Sequence, residues 1–553
     1  MKKQYFIVFS LLLAGLSATA QTPLPRFSVN GGARAVYFAD KLTNAGDTTT
    51  LPRENSGHVL ADLGVNVRPN AATEVQAMVR IRNDYGGFWG SGVSFDVRQL
   101  TVKGLIQNRF KYTVGDMDYA LTPYTMLRTA PLLQVLNGMP ALQLMQQNMP
   151  GYDVFMNPNG SWRTQGAALD FGLQFRSGPS SLNNSLFAMR LRPGFGGAAT
   201  EQWAFGGRSE LKWSETPLRL GATLVEIRDM AGTSAQEELY RSSVLTTDGA
   251  FGNGLLRLNW EVGRSVAVFT DSPQTTKTDY FYTVGLGIGK QLRVSYREVG
   301  PDFFSPAAQT TAYNPGAIPR SFRTVGNDRQ LRSASIYDFT REAGLYRTAW
   351  ATTLGNDQTD YLLLDPFGEA TPNRRGVHAE WEPVVSVRGL TLLVRGDFFS
   401  EIRGSGTSEL ARFSRAELLV NYTFRNANVG VMYRDQRSWR NNTEAEVPDL
   451  NVQQPWWSVN TGYQFSDNFR FDLSVLQVQS KGFVFEAQRN AQNEIIDYVG
   501  RTLDYRELLP VVAVSYKAFG KSTLQLGVMA SSITEAGSEL NLRSGFLSYF
   551  IQF

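Results

Sequence analysis

The residue types that most often carry chemistry are scarce in this chain. There are two histidines, His58 and His378, and no cysteine. Without cysteine there is no thiolate metal site, no disulfide framework and no lipid-modified cysteine. A histidine-based nucleophile system would need one histidine brought beside a serine and an orienting group. His378 alternates with Glu380 and Glu382, and that spacing places all three on one face of a strand. Such a trio would offer a metal one imidazole and two carboxylates, and it reads equally as a solvated polar strip. Gly-rich phosphate loops and zinc spacings are absent. The reading is therefore no catalytic residue, no cofactor site, no metal site and no enzyme.

A second set of polar residues has a regular spacing. Val75, Ala77, Val79 and Ile81 alternate with Gln76, Met78, Arg80 and Arg82. Leu169, Phe171, Leu173 and Phe175 oppose Asp170, Gln174 and Arg176, and Leu256, Leu258 and Trp260 oppose Arg257, Asn259 and Glu261. Trp203, Phe205 and Leu211 likewise stand against Arg208, Glu210 and Lys212. Arg80, Arg82, Asp170, Arg176, Arg208, Arg257, Glu261, Arg395, Asp397, Arg415 and Glu417 all lie opposite an apolar face. Inside a closed sheet they would line a lumen and select solutes by charge. In a filled interior they would instead form ion-pair networks.

The elements that must position them are strands. From Arg26 onward the chain repeats an alternating run of roughly ten to fourteen residues, a short turn, another run and a longer polar loop. Short turns are expected near Pro69, Asn108, Pro179, Glu215, Gly263, Gly289, Gly389, Asn426, Asp467 and Gly520. Longer segments fall near 40–56, 85–92, 118–162, 193–201, 229–248, 299–330, 402–408, 437–455, 481–507 and 533–542. Because the two classes alternate, the strand count is even, at about 22, or about 24 if 331–354 adds a hairpin. Asp248-Gly249, Asn253-Gly254 and Asn159-Gly160 read as turn chemistry. The fold class is an all-β, antiparallel, up-and-down transmembrane barrel.

The carboxyl terminus, Leu542 to Phe553 (LRSGFLSYFIQF), supports closure. Leu547, Tyr549, Ile551 and Phe553 share one face, with Ser548 and Gln552 on the other. A chain ending inside such a strand removes its free edge by pairing with the first strand. This segment resembles the closing strand of bacterial outer-membrane β-barrels. At the amino terminus, Lys2-Lys3, an apolar run from Tyr5 to Leu16 and Ala18-Thr19-Ala20 have the layout of a secretory signal peptide cleaved near Ala20. Residues 1–20 are thus expected to be removed and 21–553 to form the barrel, with no amino-terminal plug domain.

Composition agrees with that reading. Mean hydropathy is −0.24 with 12% aromatics and 51 glycines, polar for a helical membrane protein but ordinary for strands that face lipid on one side only. The net charge of +4 implies no nucleic-acid partner. After residue 20 no run is long and apolar enough for a transmembrane helix. Topology, leader and closing strand resemble porin-like outer-membrane proteins of Bacteroidota, which are Gram-negative. The resemblance implies location in the outer membrane, in contact with its lipid.

One loop stands out. Residues 118–162 contain Leu132, Leu133, Leu136, Met139, Leu142, Met145 and Met149, too much apolar surface to leave in water. It can fold inward as a constriction or pack on the rim as a lid or partner surface. Trp203, Trp213, Trp381, Trp456, Trp457 and Tyr549 are expected in interfacial girdles. The functional expectation is a channel for passive passage of small polar solutes, narrowed by this loop. The alternative is a non-conducting accessory or scaffold barrel whose long loops bind envelope proteins of secretion or barrel assembly.

Overall fold

The computed structural model describes residues 26–44, 54–85, 93–126, 139, 162–176, 178–192, 201–214, 216–230, 240–269, 275–309, 321–323, 331–333, 364–404, 407–441, 449–489, 495–535 and 537–553. The strands are β1 (Phe27–Asn44), β2 (Glu54–Asn70), β3 (Thr73–Tyr85), β4 (Ser94–Ile106), β5 (Phe110–Tyr119), β6 (Trp162–Gln174), β7 (Ser181–Arg192) and β8 (Glu201–Lys212). Next come β9 (Leu218–Met230), β10 (Tyr240–Gly252), β11 (Leu256–Phe269), β12 (Thr275–Ile288), β13 (Leu292–Val299), β14 (Ser321–Arg323), β15 (Leu331–Ser333) and β16 (Arg374–Trp381). The last are β17 (Leu390–Ser400), β18 (Arg412–Phe424), β19 (Ala427–Arg440), β20 (Leu450–Gln464), β21 (Phe469–Arg489), β22 (Ile495–Lys517), β23 (Ser522–Glu535) and β24 (Ser538–Gln552).

Among the described residues, 22 of these strands form one antiparallel sheet. It closes through β1 and β24, in register from Gly32 opposite Gln552 to Asn44 opposite Leu540. Phe553 and Gly31 exchange two backbone hydrogen bonds at the seam, of 3.0 and 3.1 Å. Closure satisfies every strand edge, which is what a hydrocarbon surrounding requires. β14 and β15 pair only with each other, so among the described residues the barrel has 22 strands, and 334–354 lie outside the described residues.

Strand alternation divides the wall into an apolar outside and a mixed inside. Leu526, Val528, Leu256 and Val262 face outward at 45–60% exposure, a belt that water would penalise and lipid accepts. Aromatic contacts mark its edges: Tyr463, Phe465 and Phe469 by the short turns, and Tyr282 with Tyr296 toward the loops. Outward charges such as Glu226, with Arg228 and Arg241, sit at the loop end. Trp456 departs from the girdle expectation. It is buried on the inward face under the Arg434 guanidinium, 4.5 Å from the ring centroid, because its partner strand presents that arginine directly across from it.

The short turns lie at one end with Arg26 and Phe553, which we call the turn end. Gln107 and Asn108 both take positive φ there, the pairing that a tight hairpin of matching twist requires. Gly263 is not one of the turns. It lies inside β11, where a Cβ would meet the Phe281 ring at 2.5 Å and Leu245 and Thr246 at 2.7 Å. The turn is at 253–255, which holds Asn253-Gly254 as expected. Asp248-Gly249 is mid-strand too: Asp248 faces inward, and Gly249 clears space for the Trp260 ring. Asn159-Gly160 lies outside the described residues.

At the loop end, three of the expected loops are mostly strand. β10 already begins at Tyr240, within 229–248. β21 and β22 run 21 and 23 residues, leaving only 490–494 between them, and β23 and β24 meet across 536–537. A transmembrane strand needs only about 9–11 residues. Beyond the bilayer both strand faces meet water, so the apolar alternation that marks a strand in sequence fades while the hydrogen-bonded ladder continues.

Candidate functional site: a plugged lumen and the charged cavity beneath it

Three chain segments outside the barrel strands fold inward. The first is 120–126, the start of the long apolar loop; the others are 300–309 and 364–373, from the connection between β13 and β16. Tyr124 is fully buried and stacks on Phe281 with ring centroids 4.1 Å apart. Phe303 meets the same Phe281 edge-on at 5.1 Å. Met126 and Ala307 share a buried cluster with Phe187, Met189, Val225 and Ile227 of the wall. Leu364 joins one with Phe399, Phe413, Leu450 and Val452.

Polar contacts knit the segments together. The Ser305 hydroxyl donates to the Tyr124 carbonyl at 2.8 Å, and the Gln309 amide donates to the Ala370 carbonyl at 2.8 Å. The Phe304 amide donates to the Ser265 hydroxyl on β11 at 3.0 Å. Arg403 forks onto Asp302 at 2.8 and 3.0 Å, which holds the guanidinium above its ordinary pKa. Asn373 accepts from the Ile402 and Arg403 amides and donates to the Arg403 carbonyl. We call this assembly the plug. Of the expected constriction residues, Met139 is fully buried, while Leu132, Leu136, Leu142 and Met145 lie outside the described residues.

Below the plug, toward the turn end, the inward face is charged. Direct cross-strand partners share a face, so the register defines rows. One row runs Arg257, Gly287, Arg293, Glu380, Arg395, Glu417 and Arg434. Along it Arg293 reaches Glu380 at 3.1 Å, Arg395 reaches Glu380 at 2.7 Å and Glu417 at 2.8 Å. The next row toward the plug holds Asn259, Gly285, Ser295, His378, Asp397 and Arg415. There His378 Nδ1 pairs with Asp397 at 2.8 Å, and Arg415 bridges Asp397 at 2.6 Å and Asp365 of the plug at 3.2 Å.

A third row carries Asp248, Glu261, Thr283 and Arg297. Arg208 grips Asp248 at 2.6 and 2.9 Å and also contacts Glu210 at 3.3 Å. That grip crosses Gly221 of β9, where a Cβ would stand 2.5 Å from both partners. The glycine is therefore what lets β8 and β10 join charges over the strand between them. These rows and the plug enclose a cavity of about 920 Å³, lined by Tyr124, Arg208, Arg257, Glu261, Glu369 and Glu380 among others.

The expected lumen residues thus separate into groups. Arg257, Arg395, Asp397, Arg415, Glu417 and Glu261 fall on the charged rows, and Arg208 reaches the third from the adjacent row of Thr223 and Thr246. Arg80 is buried elsewhere, bidentate on Asp62 at 2.6 Å, and half-buried Arg82 lies near His58. Asp170 accepts from Ser185 at 2.6 Å and pairs with Lys111 at 3.4 Å. Arg176 is exposed past the end of β6. Sequence reading missed Asp248, Arg293, Arg297 and Arg434. Alternation signalled the last three, but short or weakly periodic runs hid their strands.

The histidine trio does not form. Glu382 lies beyond β16, and His378 and Glu380 turn sideways to Asp397 and Arg395. Among the described residues no group of side chains is placed to hold a metal ion. Ser295 is the register partner of His378, with Asp397 on the far side, but the hydrogen bond that His378 makes is to Asp397.

No family model and no curated protein matches this sequence. Among solved structures, the chain is similar to a BenF-like porin from Pseudomonas fluorescens Pf-5 at 9% identity and TM-score 0.34, covering 95% of this chain and 99% of that one. It is similar to Pseudomonas aeruginosa OpdO at 8% identity and TM-score 0.34, covering 95% and 98%. For the usher PapC translocation pore the values are 8% and 0.38, covering 94% and 99%. At these values no residue role passes from those proteins to this one.

Proposed function

We propose that this chain is an outer-membrane channel for passive passage of small polar solutes, gated by its plug. The observation that carries the reading is the change along the inward wall, from an apolar half covered by the plug to a charged half around a 920 Å³ cavity. A wall serving only as packing would have no use for a row of facing arginines and glutamates, since desolvated charge stabilises little. The apolar outer belt sets the barrel in a bilayer. Export by a leader cleaved near Ala20 and the loop end facing the cell exterior complete the reading.

We propose transport and not catalysis: among the described residues no serine hydroxyl is hydrogen-bonded to His378, and the Asp397 that holds its Nδ1 is shared with Arg415 of the charged row. The test is single-channel conductance of the purified protein in planar bilayers, repeated with Tyr124→Ala, which removes the plug ring stacked on Phe281. Stable conductance that rises in the variant supports a plugged channel. Silence in both forms overturns it. The plug itself favours a second reading, a non-conducting barrel that scaffolds an envelope complex, and silence together with purification as a stable complex is its signature.

A further inference from the structure

Glu261 is the anomaly of the cavity. Its side chain is 7% exposed, lines the cavity, and its Oε1 has no hydrogen-bond partner. Its direct neighbours in the row are Asp248 and Thr283. The nearby cation, Arg208, is committed to Asp248, Glu210 and Thr223. Among the described residues no basic group forms an ion pair with Glu261. An unpaired buried carboxylate costs several kcal/mol unless something supplies the missing charge and donors.

The roof over this carboxylate is polar as well. Thr122 and Thr246 flank it. Tyr124, whose buried hydroxyl is also unpartnered, is another residue of the cavity lining. Burial, reinforced by the Glu369 carboxylate, raises the Tyr124 phenol far above its ordinary pKa, so it stays a donor.

The turn end has the opposite deficit. Arg257 donates to the Gly289 carbonyl at 3.2 Å and, among the described residues, has no carboxylate within ion-pair distance. Arg293, two strands along the same row, is 66% exposed. Arg257 and Glu261 are four residues apart on one strand, roughly 13 Å between Cα atoms at about 3.3 Å per residue. A solute between them would meet spare negative charge at the plug and spare positive charge at the mouth.

We infer that this cavity binds a zwitterionic solute of about dipeptide size, its ammonium group held by Glu261 under the plug and its carboxylate by Arg257 and Arg293 toward the turn end. The inference names the solute class of the channel proposed above and rests on that reading for the solute's route. A three-donor ammonium supplies the charge that Glu261 lacks, and the carboxylate matches a guanidinium fork. The cavity volume lies within the range of small-molecule sites.

Calorimetric titration of the detergent-solubilised full chain tests this. The probes are glycylglycine, its N-acetyl form without the ammonium, and its amide without the carboxylate. The expected order places glycylglycine first, with each blocked form weaker by about tenfold, which corresponds to about 1.4 kcal/mol. Glu261→Gln should weaken glycylglycine to the level of the N-acetyl form and leave the N-acetyl form unchanged. Arg257→Gln should do the same toward the amide. Both variants must retain the heat-resistant gel mobility of a folded barrel.

Equal binding of glycylglycine and its N-acetyl form, no binding of any probe, or no effect of Glu261→Gln overturns the inference. Because binding needs no conduction, the two proposals fail separately. Selective binding by a barrel that is silent in bilayers keeps the site and removes the channel. Conduction without glycylglycine binding does the reverse.

Discussion

Strands β8 to β13 line both halves of the lumen, and their inward residues change character partway along. From the turn end, β9 presents Arg219, Gly221 and Thr223, then Val225 and Ile227. β13 presents Arg293, Ser295 and Arg297, then Val299. On β12, Gly287, Gly285 and Thr283 give way to Phe281. The polar halves surround the cavity and the apolar halves lie under the plug. An inward face is thus not polar by default. It is polar where it meets water or solute, and apolar where a returning loop covers it, since burial of the loop's own aromatics favours the switch.

The largest effect should come from breaking the apolar half. Tyr124→Ala removes a fully buried ring stacked on Phe281, at a cost of about 3 kcal/mol to plug docking. The barrel ladder does not depend on that ring, so bilayer conductance should rise while heat resistance on gels persists. Loss of heat resistance with unchanged conductance would mean that the plug is core and not gate.

The same division explains what could be read from the chain alone. Barrel closure and the alternation of strand faces were legible because period-two alternation persists wherever one face meets lipid. The inward packing of Leu121 to Met126 was not legible, since the apolar signal of the 118–162 loop lies at Leu132 to Met149, of which Met139 alone is among the described residues. The other two plug segments were not either, because DFFSPAAQ and DPFGEA read as ordinary polar turns with isolated aromatics. Nor could sequence distinguish Gly221, Gly249 and Gly263 from turn glycines. Their reason is the side chain on the neighbouring strand, and only register reveals it.

The charged half is next in size. Gly221→Ala would place a methyl group 2.5 Å from the Arg208 guanidinium and the Asp248 carboxylate. The pair must separate, at a cost of about 1–3 kcal/mol for the overpacking. The midpoint of urea unfolding should fall, and conductance through the cavity should change with it. Arg208→Ala combined with Gly221→Ala should cost less than the two separate losses added. Strict additivity would show that the glycine serves something other than that grip.

Arg395→Ala sharpens the comparison with less damage. It leaves Glu380 and Glu417 without the guanidinium that joins them, in a row where Arg257, Arg293 and Arg434 remain. Arg395 is 38% exposed, so the stability cost is small, about 1 kcal/mol or less. Selectivity is the sensitive readout. The reversal potential in a salt gradient should move toward cations, by a severalfold permeability ratio, while the same substitution at a plug residue should leave it unmoved.

The smallest effect is expected where the two halves are pinned to the loop end. Arg403→Ala removes the forked bridge to Asp302, whose partners are 61% and 33% exposed, a setting in which an ion pair contributes less than about 1 kcal/mol. The segment also has a second tether that does not use this side chain. Asn373 holds the backbone of 402–403 through three hydrogen bonds of 2.8–3.0 Å. Arg403→Ala should therefore raise plug opening only slightly, and the difference from wild type should shrink at about 1 M salt, where the screening length is about 3 Å. Asn373→Ala removes the salt-independent tether and should open the plug more than Arg403→Ala at every ionic strength. If Arg403→Ala has the larger effect, electrostatics at the rim and not the apolar seat beneath it governs the plug.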